Sequence, residues 1–380
     1  ICICRVSVKE WIKISDLLFF QEGPGVRNTQ YTQSGVKLLN VANLVNGKVD
    51  LSTSDRYISE DEAFGRYKHF LCDDGDFIIA SSGIKVEYFD KKMGFVDSSM
   101  LPLCMNTSTI RFKVIDSERL NIKYFMYYLK SLHFKQQLSK FITGSAQLNF
   151  GPSHLKKMNM PLVSLKEQND IVEKLSKVEL LLDKYNGEIK LLDELIKARF
   201  VEMFGDPIEN QKNWQIVKIR DIVTDVRYGT SKPAVEGGKY PYLRMNNLTV
   251  DGGLDLSDLK YIDIPDNEIE KCVVRKGDIL FNRTNSIDLI GKTAVFNLLD
   301  DMVIAGYIIR IRLNNQILPD VFSQYMNLEA MKKVLRGMAK GAVNQANINA
   351  QELQSIKVYI PNMELQKQYV EFKEEIDKSR

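Results

Sequence analysis

The chain is a tandem repeat with a period of roughly 200 residues, and this feature constrains its fold more than any other. Similar residues recur in the same order in both halves, at offsets of 198 to 204 residues. The matched pairs are Trp11 with Trp214, Leu44 with Leu248, Tyr57 with Tyr261, Gly75-Asp76 with Gly277-Asp278, Gln147, Asn149 and Leu155 with Gln345, Asn347 and Leu353, and Pro161 and Gln168 with Pro361 and Gln368. Solenoid repeats are much shorter. The sequence therefore predicts two similar globular units.

Each globular unit is followed by a segment with the spacing of a coiled-coil helix. Apolar residues between 171 and 196 are separated by alternating steps of four and three, which is a heptad pattern. These positions are Ile171, Leu175, Val178, Leu182, Tyr185, Ile189, Leu192 and Ile196. A second seam starts near the C-terminus with Leu365, Tyr369, Phe372 and Ile376. A helix in a single globular core can also carry an apolar stripe, but the heptad spacing favours packing of one helix against another.

The globular units carry mixed strand and helix signals. The runs "DFIIASS" and "GDILFNR" are typical of short strands after a Gly-Asp turn, whereas residues 121–142 and 319–339 are typical of helices. We therefore predict an α+β fold with two similar mixed α/β units in tandem, separated by long helices. The expected boundaries are 1–160 and 207–360 for the globular units, 161–206 for the central helix, and 361–380 for a C-terminal helix that ends early by the repeat offset.

The charge of +3 is unevenly distributed along the chain. The two globular units are basic, at +5 and +2, whereas the two helical segments are acidic, at −3 and −1. No Asp or Glu occurs in residues 119–166 or 330–351. A surface that faces a polyanion would have this pattern, although a solvated helix face could also lack acids. The candidates for contact with phosphate are Lys135, Lys140, Lys156, Lys332, Lys333 and Lys340.

No catalytic or metal-binding pattern is recognisable in the sequence. The three histidines and five cysteines lack the spacing of a metal site or a catalytic triad. The segment "SIDLIGKT" (286–293) has Ser286 where a phosphate-binding P-loop needs glycine. We therefore expect a binding protein without catalytic residues, metal or cofactor. The odd number and scattered positions of the cysteines indicate no disulfide framework, so we expect a reducing cytoplasm. No apolar run approaches a membrane span, so we expect no membrane partner.

Several of these segments together resemble the specificity subunit of type I restriction–modification systems. They are the "W-x-I" near each unit start, "GDFIIAS" and "GDILFNR", "GSAQLNF" and "GAVNQANI", and "ARFVEMFGDP" at the end of the central helix. The resemblance implies two target-recognition domains that each bind one half of a bipartite double-stranded DNA target. It also implies an antiparallel coiled coil that sets the spacer, methyltransferase and restriction motor subunits as partners, and no catalysis by the chain itself.

The resemblance does not supply the base-contacting residues, because recognition domains differ between members. By chemistry alone, the candidates are polar residues after the Gly-Asp strands and in the polar loops beside the acid-free stretches. They are Arg283, Thr284, Asn285, Ser286, Ser81, Ser82, Lys85, Gln147, Asn149, Gln345 and Asn347. Each of them could instead be a turn residue. Two other functions stay open: a DNA-modifying methyltransferase or nuclease with unrecognised motifs, and a coiled-coil protein scaffold.

Overall fold

The structure is a computed structural model that describes residues 10–83, 85–140, 150–342 and 345–380. The chain divides into two compact units, Ile1–Leu182 and Asp183–Arg380. The division therefore falls inside one long helix, between Leu182 and Asp183. Each unit combines short strands with short helices, as expected for an α+β fold.

The strands of the first unit are short, and most lie in three sheets. They are β1 (Glu10–Lys13), β2 (Leu18–Glu22), β3 (Val36–Leu39), β4 (Leu44–Val45), β5 (Lys48–Val49), β6 (Tyr57–Ile58), β7 (Phe77–Ala80), β8 (Met93–Phe95), β9 (Leu103–Met105), β10 (Thr109–Val114) and β11 (Asn159–Leu162). The sheet orders are β1-β11, β2-β10-β7-β8 and β6-β3-β9, beside the small β4-β5 pair. Its helices are α1 (Glu60–Phe64), α2 (Ile122–Leu129), α3 (Leu132–Ser139), α4 (Pro152–Leu155) and the beginning of α5 (Leu165–Phe204).

The second unit repeats this plan. Its strands are β12 (Gln215–Lys218), β13 (Val223–Tyr228), β14 (Tyr240–Leu243), β15 (Lys260–Ile262), β16 (Val273–Val274), β17 (Ile279–Asn282), β18 (Thr284–Asn285), β19 (Thr293–Val295), β20 (Met302–Ile304), β21 (Ile308–Leu313), β22 (Lys340–Ala342), β23 (Gln345–Asn347) and β24 (Lys357–Ile360). The sheet orders are β12-β24, β13-β21-β17-β19, β15-β14-β20-β16 and β18-β23-β22. The helices are α6 (Asp266–Cys272), α7 (Pro319–Asn327), α8 (Glu329–Met338), α9 (Ala350–Ser355) and α10 (Met363–Ser379).

Strand pairing corrects the sequence alignment at the two ends of the repeat. Lys13 lies opposite Asn159 in the first unit, and Lys218 lies opposite Lys357 in the second. Trp11 is therefore equivalent to Ile216, and the predicted pairing of Trp11 with Trp214 is wrong by two residues. Pro161 is likewise equivalent to Tyr359, not to Pro361. The two tryptophans look equivalent because a "K-I-x-D" segment follows each of them. The segment begins two residues after Trp11 but four residues after Trp214.

A buried glutamine shows the same shift and explains why that residue type recurs. The side-chain amide of Gln168 donates to the carbonyls of Arg119 and Val163, at 2.8 and 2.9 Å. Gln366, not Gln368, makes the equivalent bonds to the carbonyls of Gln316 and Pro361, at 3.0 and 2.9 Å. In each unit this amide satisfies buried backbone carbonyls where the sheet passes into a helix.

The long helix α5 has clear start and stop signals. Ser164 and Glu167 form a reciprocal capping box, in which the Ser164 amide donates to the Glu167 carboxylate at 3.0 Å and the Glu167 amide to Ser164 Oγ at 3.3 Å. Gly205 ends the helix with φ +84°, a conformation that favours glycine. The indole N–H of Trp214 then donates to the Phe204 carbonyl at 2.8 Å, which fixes the helix end to the second unit.

The helix α10 packs antiparallel against the last turns of α5. Tyr369 is fully buried, with its ring 5.3 Å from Phe200 and 5.5 Å from Phe204, and Arg380 pairs with Asp193 further back along α5. Leu365, Phe372 and Ile376 also pack against the hydrophobic core of the second unit, hereafter the second core, which contains Phe200, Phe204 and Tyr369. The predicted seam of α10 is thus occupied.

The predicted seam of α5 is occupied only near its ends. Ile196 is buried in the second core, and Leu192 is half-buried. Ile171 and Leu175 pack on the core of the first unit, so the prediction that they contact a partner helix is wrong for this chain. Between these ends, Val178, Leu182, Tyr185 and Ile189 are 41–59% exposed. The middle of α5 therefore carries an unpaired heptad seam.

Among the described helices, none combines the length and apolarity needed to cross a membrane.

Candidate nucleic-acid interface

A Gly-Asp turn and a fully buried strand position the same loop in both units. In the second unit, Asp278 accepts a hydrogen bond from the Arg275 amide at 3.0 Å and pairs with Arg312 at 2.9 Å, and β17 follows with every residue buried. In the first unit, Asp76 accepts from the Asp73 amide at 2.8 Å, and β7 follows in the same way. The residue that follows the buried strand, Ser81 after β7 and Arg283 after β17, therefore lies where the strand ends.

Arg283 follows β17 and lies at a cavity. Its guanidinium is 4.9 Å from the ring centroid of Tyr228, a cation–π contact, and it donates one long hydrogen bond of 3.4 Å to the Gly306 carbonyl. Its Nε is buried and has no hydrogen-bond partner among the described residues. A guanidinium has five N–H donors, so Arg283 keeps donors for a ligand.

The cavity beside Arg283 is basic and partly aromatic. It has a volume of about 480 Å³, and its walls include Lys232, Arg244, Asn246 and Tyr307. Tyr307 is 50% exposed. Lys232 and Arg244 each pair with a carboxylate, Glu268 at 2.9 Å and Asp258 at 2.8 Å. Donors and an aromatic ring around one opening suit the contacts that proteins make with base edges and phosphates.

The small sheet β18-β23-β22 brings together two loops that are distant in sequence. Thr284 lies opposite Asn347, and its hydroxyl donates to Asn347 Oδ1 at 3.0 Å. Thr284 is only 8% exposed, so the prediction that it contacts a base is wrong because its hydroxyl is used inside the fold. Asn285 donates to Asn282 at 2.8 Å and accepts from the Ser286 amide at 2.9 Å. Asn285 and Ser286 are half-buried, and Gln345 is exposed at the edge of this sheet.

The first unit carries smaller polar groups at the equivalent position. Ser81 and Arg283 are equivalent because the Ser81 amide donates to the Ser108 carbonyl and the Arg283 amide to the Tyr307 carbonyl. Ser81 is 1% exposed, with its hydroxyl 3.4 Å from Glu22 Oε1, so the prediction of a base contact is wrong for Ser81. Ser82 donates to Ser108 at 2.7 Å. Lys85 is exposed, and Gln147 and Asn149 lie outside the described residues.

The predicted phosphate-binding lysines fall into three groups. Lys140, Lys156 and Lys333 are exposed. Lys135 pairs with Asp90 at 2.9 Å and Lys340 with Glu352 at 2.5 Å, so acids outside the acid-free stretches partly neutralise them. Lys332 is 7% exposed and donates to the Gly291 carbonyl at 2.5 Å and to Asn327 Oδ1 at 2.8 Å. The Lys332 ammonium therefore does not lie at the surface as those of Lys140, Lys156 and Lys333 do, but faces an internal cavity.

Four residues that lie beside Arg283 or Ser81, or line the cavity at Arg283, were not identified from the sequence: Glu22, Tyr228, Arg244 and Tyr307. Glu22 and Tyr228 end equivalent strands just before Gly23 and Gly229. A side chain on either glycine would lie 2.2 Å from a backbone carbonyl oxygen, of Asn106 and Ile304 respectively. A strand that ends in such a glycine is the signal that could have located Glu22 and Tyr228. Arg244 and Tyr307 become neighbours of Arg283 only through the fold.

The cysteine thiols that the structure describes, those of Cys72, Cys104 and Cys272, are all buried. Burial raises the pKa of the Cys72 and Cys104 thiols to about 12, so neither is a ready nucleophile. Within residues 10–83, 85–140, 150–342 and 345–380, no group of three or more His, Cys, Asp or Glu side chains could hold a metal ion.

Comparison with known proteins gives a consistent picture. The sequence profile of the "Type I restriction modification DNA specificity domain" matches residues 9–192 and again 211–379. The chain is 22% identical to the type I restriction enzyme EcoKI specificity subunit of Escherichia coli K12 over 260 residues, 64% of this chain and 56% of that protein. It is 31% identical to the putative type I restriction enzyme MjaX specificity subunit of Methanocaldococcus jannaschii over 173 residues, 44% and 40% of the two chains. The chain thus spans about half the length of these curated relatives.

One solved structure shares the fold over nearly the whole chain. It is the type I restriction-modification system S subunit from M. genitalium, with a TM-score of 0.54 and 16% identity over 97% of this chain and 90% of that one. The predicted α+β fold with two similar units in tandem is confirmed.

Proposed function

Because the chain belongs to the type I restriction-modification DNA specificity family, we propose that it is the DNA-recognition component of a type I restriction–modification complex and that it performs no catalysis itself. Its partners are double-stranded DNA and the methyltransferase and restriction motor subunits of the same system.

The observation that carries this proposal is that the two units share the same backbone arrangement but present different side chains at equivalent positions. Each unit contains one copy of the family domain and presents a loop after the same Gly-Asp turn and buried strand. At equivalent positions the second unit has Arg283 beside Tyr228, and the first has Ser81 beside Glu22. Each unit then recognises its own half of a bipartite target.

The side chains suggest the base in each half. The free donors of Arg283 suit the O6 and N7 acceptors of guanine in the major groove. The Glu22 carboxylate is an acceptor and suits an exocyclic amine, as on cytosine N4. Ser82, Lys85, Asn285, Ser286, Gln345 and Asn347 remain candidates for further contacts, and Lys140, Lys156 and Lys333 for phosphate.

The long helix supplies the spacer and a docking surface. At about 1.5 Å per residue, the 40 residues of α5 extend roughly 60 Å. Its exposed middle carries the unpaired seam and, on other faces, Leu181, Leu191 and Leu195 at 46–64% exposure. Apolar groups exposed in this number mark an interaction surface, and helices of the methyltransferase subunits would cover it.

Selection from random duplex DNA tests the proposal. The full chain is mixed with the methyltransferase subunits of its system, and bound duplexes are sequenced. The expected result is two short specific elements separated by a spacer of fixed length. A contiguous motif, or binding without sequence preference, would refute recognition by two units.

An insertion in α5 tests the spacer role. Seven residues added after Leu182 keep the heptad phase and leave the α10 contacts at Asp193 to Phe204 intact. The helix becomes about 10.5 Å longer, which corresponds to roughly three base pairs at about 3.4 Å each. We expect the same two elements with a spacer three pairs longer. An unchanged spacer would show that α5 does not set the distance.

A further inference from the structure

Lys135 and Lys332 occupy the same position in equivalent helices of the two units. Buried Phe134 and Leu138 flank Lys135 on α3, just as buried Met331 and Leu335 flank Lys332 on α8. The Lys135 ammonium pairs with the Asp90 carboxylate at 2.9 Å. Within the described part of the chain, the acceptors of the Lys332 ammonium are uncharged: the Gly291 carbonyl and the Asn327 amide oxygen. The second unit therefore buries a lysine without the carboxylate that its counterpart has.

The strand register identifies the residue that replaces the carboxylate. The Ala80 amide donates to the Lys92 carbonyl, and the equivalent Asn282 amide donates to the Lys292 carbonyl. Lys92 and Lys292 are thus equivalent, and two residues before them stand Asp90 and Ile290. An isoleucine in place of an aspartate removes one negative charge at this site.

A cavity lies where the carboxylate is missing. It has a volume of about 160 Å³, and Ile290, Lys292, Asn327 and Lys332 are among its walls. Its charged lining residues are the basic Lys197, Lys292, Lys332 and Arg336 and the acidic Asp288 and Glu329. Lys292 is also 7% exposed, and its ammonium donates to the carbonyls of Met245 and Leu248. Two buried ammonium groups with no carboxylate bonded to them favour an anion from outside.

We propose that this cavity binds one tetrahedral oxyanion, a phosphate or sulfate group, which takes the place that the Asp90 carboxylate has in the first unit. An ammonium has three donors and Lys332 uses two of them, so one N–H remains for the anion. Arg336, at the cavity wall and paired with Glu329 at 2.7 Å, supplies a second contact. Binding of the anion does not depend on the proposed function; only the assignment of the anion to a backbone phosphate of bound DNA, and not to a free anion, rests on it.

Binding should depend on pH because Lys332 titrates near neutrality. Burial, and then the charge of Arg336, lowers the pKa of Lys332 to about 7. Lys292 acts in the same direction and Glu329 opposes it, and Lys197 and Asp288 also line the cavity. An anion stabilises the protonated lysine, so its affinity is greatest below pH 7 and falls by about tenfold per pH unit well above it.

Sulfate is the suitable probe, because its charge stays constant over this range whereas that of inorganic phosphate does not. Calorimetry with the full chain at constant ionic strength measures sulfate affinity at pH 6 and pH 8. We expect saturable binding of one sulfate at this cavity, about tenfold weaker at pH 8 than at pH 6. K332M should abolish it and R336Q should weaken it. E329Q, which frees Arg336, should strengthen it, and I290D, which restores the carboxylate of the first unit, should compete with sulfate.

K271Q is the matched control, since Lys271 is exposed in the same unit and does not line the cavity; it should leave sulfate affinity unchanged. If K332M does not fold, R336Q and E329Q still decide by their opposite effects on affinity. Equal sulfate affinity in R336Q, E329Q and K271Q, or no saturable binding, would overturn the proposal. Lys292 and Lys332 would then have only a structural role, as donors to loop carbonyl and amide oxygens.

A competition experiment between sulfate and DNA identifies the natural occupant of the cavity. If a duplex of the selected target displaces sulfate, the natural occupant is a backbone phosphate. If sulfate and duplex bind together, the occupant is a free anion.

Discussion

The two globular units use one frame to present opposite chemistry. At the end of equivalent strands, the second unit has the Arg283 cation against the Tyr228 ring, whereas the first has the Ser81 hydroxyl near the Glu22 carboxylate. The frame around them is the same: a Gly-Asp turn, a buried strand and an amide that donates to the neighbouring strand. Burial constrains the residues of the turn and the strand, whereas the residues that follow the strand are less constrained and differ between the units.

The equivalent lysines Lys135, which is half-buried, and Lys332, which is buried, also differ between the units. Lys135 has Asp90 as its counter-ion, but the equivalent Lys332 has only amide and carbonyl oxygens. A buried charge with a carboxylate partner is stabilised as a charge, whereas one without it is stabilised by losing its proton. The two units should therefore respond differently to pH.

The largest expected effect is a rise in stability with pH that is specific to the second unit, because the counterpart of Lys332 in the first unit has a carboxylate partner. Lys332 has a pKa of about 7 in the fold and 10.5 as an ordinary lysine. Between these values the unfolded chain holds more protons than the folded one, so the free energy of unfolding of the second unit rises with pH. The difference corresponds to at most about 5 kcal/mol, at roughly 1.4 kcal/mol per pH unit.

The chain has only two tryptophans, one in each unit, which makes the comparison measurable. In a W11F background, urea unfolding followed by Trp214 fluorescence, in buffers without sulfate or phosphate, should show the rise from pH 7 to pH 10. K332M should remove it. In a W214F background, Trp11 reports the first unit, and K135M should leave its pH profile unchanged. A rise that persists in K332M would mean that another group is responsible.

Recognition should change in only one half when Arg283 is removed. R283A takes away the free guanidinium donors, and we expect a loss of about 1–3 kcal/mol in preference for one base of the second half-site. The measurement is competition between single-base variants of the selected target. R227A is the control, because Arg227 is exposed in the same sheet and pairs with Asp225. Equal losses in both half-sites would contradict the assignment of one half to each unit.

The corresponding change in the first unit should have a smaller effect. E22Q keeps the size of the side chain and an acceptor oxygen but removes the charge, so we expect a loss of about 1 kcal/mol at one base of the first half-site. E10Q, on the strand β1 of the same unit, serves as the control since Glu10 is exposed. The same competition assay shows whether the second half-site is affected; a change there would indicate that Glu22 acts through the fold and not on a base.

The fold was largely predictable because its main signals are local or repeated. The tandem units, the Gly-Asp turns and the central helix follow from residue order and spacing. The alignment failed by two residues at Trp11 because a conspicuous residue was matched instead of the hydrogen-bonded "K-I-x-D" register. The seam of α5 failed at Ile171 because heptad spacing does not specify whether a helix or a sheet core covers the apolar face.

The site was less predictable because exposure and ion pairing depend on contacts between distant residues. Arg283 was identified by its type and its place after a strand. Thr284 and Ser81 have the same sequence signal but point into the fold. Lys332 and Lys333 are adjacent in an acid-free stretch, yet only the first is buried. A count of charges along the chain does not distinguish them.

The smallest expected effect concerns the exposed lysines. Lys140 and Lys156 in the first unit and Lys333 in the second are exposed, whereas Lys135 and Lys340 have acidic partners. Each exposed lysine that contacts a phosphate adds about 0.9 to the slope of log affinity against log salt concentration. Changing Lys140, Lys156 and Lys333 to Gln should therefore flatten the slope by up to about three units while both half-site preferences persist. Lys190, exposed in the middle of α5, provides the control. If K190Q reduces the slope as much as the triple variant does, the loss reflects total charge and not phosphate contacts in the globular units.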